Sequence, residues 1–176
     1  MVLKKIVGSL YEYFYAEEID KQYLKMKLLK DKVLDLEYLL NLDKVDSPEK
    51  LGEIGITELR KLLNTHCEEL HISDRTYGLT NLIQAKKYTE ETKVSFNTYQ
   101  LGEYDCDEFS FNLMGKWNLG RNQFAFGIAW SKTHAFNIMV DLKKQIWIIE
   151  PQSNKFIRIE NVKNKIKFYP MRLIII

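Results

Sequence analysis

Three residues in the second half of the chain are of the types that nucleophilic chemistry needs. Cys106 follows Tyr104-Asp105 at the head of a stretch in which Phe109, Leu113 and Trp117 recur every four residues. A helix start presents unpaired N–H groups and partial positive charge, which favour a thiolate and can hold an oxyanion. His134 opens an apolar run, and Glu150 and Gln152 close the next one, across the short turn at Lys143-Lys144. An antiparallel hairpin sets the start of one strand beside the end of its neighbour, so residues 150–152 fall next to His134. The order Cys106, His134, then Glu150 or Gln152 supplies a nucleophile, a base and an orienting acceptor, the set that acyl transfer on an amide or ester uses.

Bland readings stand beside this one. Free cysteine is among the most buried residue types, and a strand histidine can be a satisfied core residue. Cys67 is expected on the apolar face of a helix beside His66, and His71 near the last carbonyls of that helix. Asn137, three positions past His134, points to the other strand face and reads as structural. Glu103, Asp105, Asp107 and Glu108 crowd Cys106 with carboxylates, which raise a thiol pKa. They read as solvated residues of a helix start or, with Asp105 and Asp107 as ligands, as a site for a hard divalent cation.

Elements must exist to position these groups. Residues 21–42 place Leu29, Val33, Leu36 and Leu40 at helical spacing. Ser47-Pro48-Glu49 resembles a helix start, a further helix is expected from about Thr57 to Leu70, and a short one near Asn81–Tyr88. Asp105 to Trp117 predicts the central helix, with Gly120 just past its end. Strands are expected at Phe124–Trp130, His134–Leu142, Gln145–Glu150, Phe156–Ile159, Ile166–Tyr169 and Arg172–Ile176. Compact turns between them suggest a mostly antiparallel meander, with the apolar end Leu173–Ile176 buried in it. The expected architecture is α+β: a helical region over 1–73, then a domain over 74–176 with a central helix packed on an antiparallel sheet.

Composition bounds the rest. The chain has 176 residues, 45% apolar and 28% charged, with a formal charge of +2, as in an ordinary globular domain. Two cysteines do not make a disulfide framework and read as reduced thiols, which suits a cytoplasmic protein. No apolar run is long enough to span a bilayer, and Met1–Leu10 does not read as a signal peptide, so no membrane partner is expected. The small charge gives no general argument for nucleic acid; Lys155, Arg158, Lys163, Lys165, Lys167 and Arg172 alternate with apolar residues, as on a solvated sheet face.

The runs Tyr104-Asp105-Cys106-Asp107-Glu108-Phe109, His134-Ala135-Phe136-Asn137 and Trp147-Ile148-Ile149-Glu150-Pro151-Gln152 together resemble a papain-like cysteine-peptidase domain. They are most similar to the C-terminal protease domain of Marasmius-type fungal agglutinins and its phage-encoded relatives, over roughly residues 74–176. The resemblance implies a papain-like core and a catalytic triad of Cys106, His134 and Glu150 acting on a protein or peptide substrate. Glu150 departs from papain, which has Asn there, but not from the agglutinin branch. Gln100, six residues before Cys106, matches papain's oxyanion glutamine in spacing alone. The resemblance implies calcium activation, while the triad itself requires no cofactor. No sugar-binding repeat occurs in the first half, so the agglutinin's lectin activity does not carry over. The main expectation is thus a cysteine hydrolase, with a transglutaminase-like transferase using the same intermediate. The alternative is a catalytically silent scaffold of the same fold that serves as a protein-interaction module.

Overall fold

The computed structural model describes residues 21–22, 24–30, 32–33, 47–119, 123–162 and 164–176. The chain divides into two compact units, Met1–Asp46 and Ser47–Ile176. In the first, residues 21–22, 24–30 and 32–33 are helical, with Leu29 and Val33 exposed. Leu36, Leu40 and the opening ten residues lie outside the described residues, as do Gly120 and Lys163.

The second unit is α+β. Its elements in chain order are β1 (Gly52–Gly55), α1 (Ile56–Leu63), β2 (Cys67–His71), β3 (Thr76–Leu79), α2 (Leu82–Glu91), α3 (Cys106–Trp117), β4 (Phe126–Trp130), β5 (Ala135–Val140), β6 (Ile146–Glu150), β7 (Lys155–Arg158) and β8 (Met171–Ile175). β1 and β3 pair in a small antiparallel sheet, and the rest form a six-stranded sheet in the order β2-β8-β4-β5-β6-β7. From β4 to β7 the strands run as the expected antiparallel meander. β8 returns to lie antiparallel beside β4, with its Leu173–Ile175 segment inside the sheet, and carries β2 parallel on its other edge.

Local chemistry explains the turns. The β5–β6 turn is built by Asp141, which is 3% exposed. Its Oδ1 accepts from the N–H groups of Lys143 and Gln145, both at 2.9 Å, and its Oδ2 from Trp147 Nε1 at 2.9 Å. An aspartate that mimics a backbone turn in this way fixes the hairpin register, and Lys144 takes the left-handed conformation that the turn requires. β4 and β8 approach closely because residue 127 is glycine: a Cβ there would lie 2.0 Å from the Ile175 carbonyl oxygen.

Both sheet faces are covered. On one, Leu59 and Leu63 of α1 join a core that includes Ile138, Val140, Ile148 and Ile174. On the other, α3 packs on β4 and β5. Trp117 stacks on Phe126 at 4.3 Å and meets Phe124 and Tyr88 edge-on at 5.6 and 5.4 Å. Asn137 ties helix to sheet, its Nδ2 donating to the Ser110 carbonyl at 2.9 Å and the Gly127 carbonyl at 3.1 Å.

Several expected boundaries differ. The helix expected to reach Leu70 ends at Leu63, and residues 67–71 form β2 instead, so Cys67 and His71 are strand residues. Asn64-Thr65-His66 turns the chain, and burial against β8 rewards the extended form. Ser47–Lys50 is not helical, and Ile166–Tyr169 is a turn, not a strand. The short helix after Asn81 is present, with Asn81 Oδ1 accepting from Gln84 N–H at 2.9 Å.

Candidate functional site

α3 starts where its caps require. Asp105 is the N-cap: its carboxylate accepts from the N–H groups of Asp107 and Gly102, each at 3.2 Å, and the Glu108 carboxylate reaches back to Asp105 N–H at 2.9 Å. This reciprocal pair satisfies donors that a helix start leaves orphaned. The Asp107 and Gly102 N–H groups also hold the Asp105 carboxyl below its ordinary value. The expected acidic knot is thus the device that begins the helix, and it sets Cys106 as the first helical residue.

The thiol is half-buried. Sγ–H donates to Asp107 Oδ1 at 3.7 Å, and the same oxygen accepts from Trp130 Nε1 at 3.2 Å. Burial pushes the Cys106 thiol up; the Ala135 N–H pulls it down, and the negative charges of Asp107 and Asp105 push it up again. The net direction is upward, which favours the thiol over the thiolate.

His134 stands just before β5, its carbonyl held by Ser131 N–H at 2.9 Å. Asn137 pairs with Ile149 across β5 and β6. One step further along that register Glu150 falls opposite Phe136, on the same face as His134. His134 Nε2 lies 2.9 Å from Glu150 Oε2, with both side chains 8% exposed. Glu150 also takes Lys167 Nζ at 2.6 Å on that same oxygen, while its Oε1 is buried without a partner. Burial opposes ionisation of Glu150, but hydrogen bonds from His134 and Lys167 outweigh it and hold the carboxyl below its ordinary value. An ionised carboxylate only accepts, so the shared proton sits on His134 Nε2. Phe168 packs edge-on to the imidazole at 5.8 Å, and Phe136 lies at 6.0 Å.

The structure therefore brings His134 and Glu150 into contact and sets the Ala135 N–H against the Cys106 sulfur. Among the described residues, no hydrogen bond joins the thiol to the imidazole. Gln152 is half-buried in the turn after β6, and the partner of His134 is Glu150. Gln100 is exposed; its backbone exchanges hydrogen bonds with Tyr104 at 2.9 and 2.8 Å to form the tight loop leading into α3. Donor atoms of Asp105, Cys106 and Asp107 lie within 4.8 Å of one another. Two carboxylates already engaged by N–H donors, plus a soft sulfur, do not match the six to eight oxygens that calcium takes, so no step is routed through that ion.

Three participants escaped the sequence reading: Trp130 on Asp107, Ser131 beneath His134, and Lys167 on Glu150. The last was read as one cation of a solvated face, and nothing in its spacing marks it otherwise. Trp130 and Ser131 also line an open groove of about 640 Å³, together with Glu69, Lys132 and Arg172. A larger cavity of about 770 Å³, lined by Glu58, His66 and Arg158 among others, contains none of the site residues. Among the described residues, no helix is long and apolar enough to cross a membrane.

No family model and no curated relative matches the chain. Solved structures do. One is a complex of PSL1a with E64, 14% identical, with a TM-score of 0.56 over 70% of this chain and 51% of that one. Another is Polyporus squamosus lectin bound to the human-type influenza-binding epitope Neu5Acα2-6Galβ1-4GlcNAc, 15% identical, with a TM-score of 0.57 over 70% of this chain and 49% of that one. The chain thus spans about half the length of the solved chains it matches, and at this identity the likeness is one of fold. By title the second neighbour is a sugar-bound lectin and the first a complex with E64. The expectation of a papain-like cysteine peptidase, with its protease and catalytic-triad vocabulary, is corrected on that finding, and the neighbours lend nothing to a phage origin. The physical reason is that a Cys at a helix start and a His–Glu pair on a hairpin report how a helix sits on a sheet, which is not by itself an activity.

Proposed function

We propose that residues 47–176 form a catalytically silent binding module that holds an extended segment of a protein partner without cutting it. The observation that carries this reading is the double role of Trp130 and Ser131. Both line the groove, and both hydrogen-bond into the cluster behind it, Trp130 to Asp107 and Ser131 to the His134 carbonyl. A ligand lying in the groove meets an indole face for apolar contact and Lys132, Arg172, Glu68 and Glu69 for polar contact. Phe111 of α3, exposed, lies 5.8 Å from the Trp130 ring. The upward direction of the Cys106 thiol, with its Sγ–H donating to Asp107, supports holding over turnover, since the thiolate is the nucleophile.

One solved neighbour is a complex with E64, and the same compound is the probe for this groove. Titration of the full chain carrying Cys106→Ala, which cannot be alkylated at that position, with E64 is expected to show binding by calorimetry that a further Trp130→Ala weakens about tenfold, the loss of one aromatic anchor. Absence of binding to the Cys106→Ala chain, or equal binding once Trp130→Ala is added, overturns the groove. Rapid turnover of a peptide by the native chain overturns the silent reading.

A further inference from the structure

We propose that Lys167 is a positioning residue for His134, acting through Glu150: it supplies the positive partner that the buried carboxylate needs, so that the imidazole donates its hydrogen bond without having to carry charge. This deepens the groove reading above and rests on it only in that Ser131, which lines the groove, bonds to the His134 carbonyl.

The geometry assigns the role. Lys167 Nζ and His134 Nε2 converge on one oxygen of Glu150, at 2.6 and 2.9 Å, while the other oxygen is buried and unpartnered. A carboxylate this deeply placed carries a heavy desolvation cost unless a cation answers it. Two groups could supply that charge. Lys167 is half-exposed, whereas the imidazole is 8% exposed and lies between Phe136 and Phe168. Charging the lysine therefore costs less than charging the histidine.

The segment that brings Lys167 here is held at several points. The Lys167 carbonyl accepts from Ser131 Oγ at 2.7 Å, and the N–H groups of Phe168 and Tyr169 close a turn on the Lys165 carbonyl at 2.9 and 3.1 Å. Phe168 packs against both His134 and Phe136, and the ammonium lies 5.4 Å from the Phe168 ring centroid. Ser131 thereby links the groove wall to the histidine and the lysine, its N–H donating to the His134 carbonyl and its hydroxyl to the Lys167 carbonyl.

The test uses the full chain without ligand, so that failure of E64 to bind has no bearing on the result. Ring-nitrogen NMR of His134 at neutral pH is compared in the native chain, Lys167→Met and Lys167→Arg, each first shown to be folded by its dispersed amide spectrum. Lys167→Met is expected to move the His134 nitrogens toward the imidazolium pattern, because the carboxylate then draws its charge partner from the ring. Lys167→Arg is expected to retain the native pattern. A folded Lys167→Met with unchanged His134 signals overturns the proposal, and so does an arginine variant that shifts as far as the methionine one.

Discussion

Glu150 carries the largest electrostatic burden in the site, because a nearly buried carboxylate holds two donors on one oxygen. Glu150→Gln removes the charge that answers Lys167 and leaves an amide that cannot accept from both donors as strongly. A loss of about 3 kcal/mol in urea unfolding is expected, the cost of breaking a buried pair from one side. The same carboxyl sets an acid limit. Its folded pKa lies below its ordinary value, so its contribution is complete above the unfolded value and is lost as pH falls through the folded one. Lys167→Met removes one of the bonds that depress it, so acid unfolding followed by circular dichroism should begin at a higher pH than in the native chain. Cys106 behaves in the opposite sense: the folded state keeps the thiol proton to higher pH than an unfolded chain does. Iodoacetamide should therefore label Cys106 at neutral pH more slowly than it labels the urea-unfolded protein, with the rate rising only above the ordinary thiol value of about 8.5. Faster labelling of the folded chain would contradict the upward direction of the thiol.

At the scale of elements, caps and close approaches decide where the site residues stand. Asp105→Ala removes the N-cap of α3 and half of its capping box, so a loss of about 1 kcal/mol is expected in thermal or urea unfolding. Gly127→Ala puts a methyl into the Ile175 carbonyl and should separate β4 from β8, with a loss of 3 kcal/mol or more on the order expected for a severe core clash, read by the same unfolding measurement. The legibility of the sequence follows the same division. The β4–β7 meander and α3 could be read because apolar alternation, turn residues and four-residue spacing all agree there. The hairpin argument that set Glu150 beside His134 worked because antiparallel pairing fixes neighbours whatever the register. β2 could not be read: Cys67-Glu68-Glu69-Leu70-His71 continues the helical spacing of α1, and only its parallel partner β8, a hundred residues away in sequence, rewards the extended form. The turn at 166–169 was hidden in the same way, since its alternating charges mimic a strand while its backbone closes on Lys165. Lys167 was hidden with it, because the approach of that turn to Glu150 is a tertiary event.

For the whole molecule, the likeness to the solved chains is one of architecture over 70% of this chain, at an identity too low to bring an activity with it. What the fold supplies is a six-stranded sheet on which α3 and the β5–β6 hairpin gather a thiol, an imidazole and a carboxylate, tied through Trp130 and Ser131 to an open groove. Within that cluster the thiol donates to Asp107, the imidazole donates to Glu150, and Lys167 answers the carboxylate. The central claim is that this unit binds without turnover. Its most direct test is to incubate the full chain with a fluorogenic peptide library at neutral pH, with calcium and with chelator, beside Cys106→Ala. The account predicts the same uncleaved library from both proteins under both conditions. Cleavage by the native chain that disappears in Cys106→Ala would contradict it.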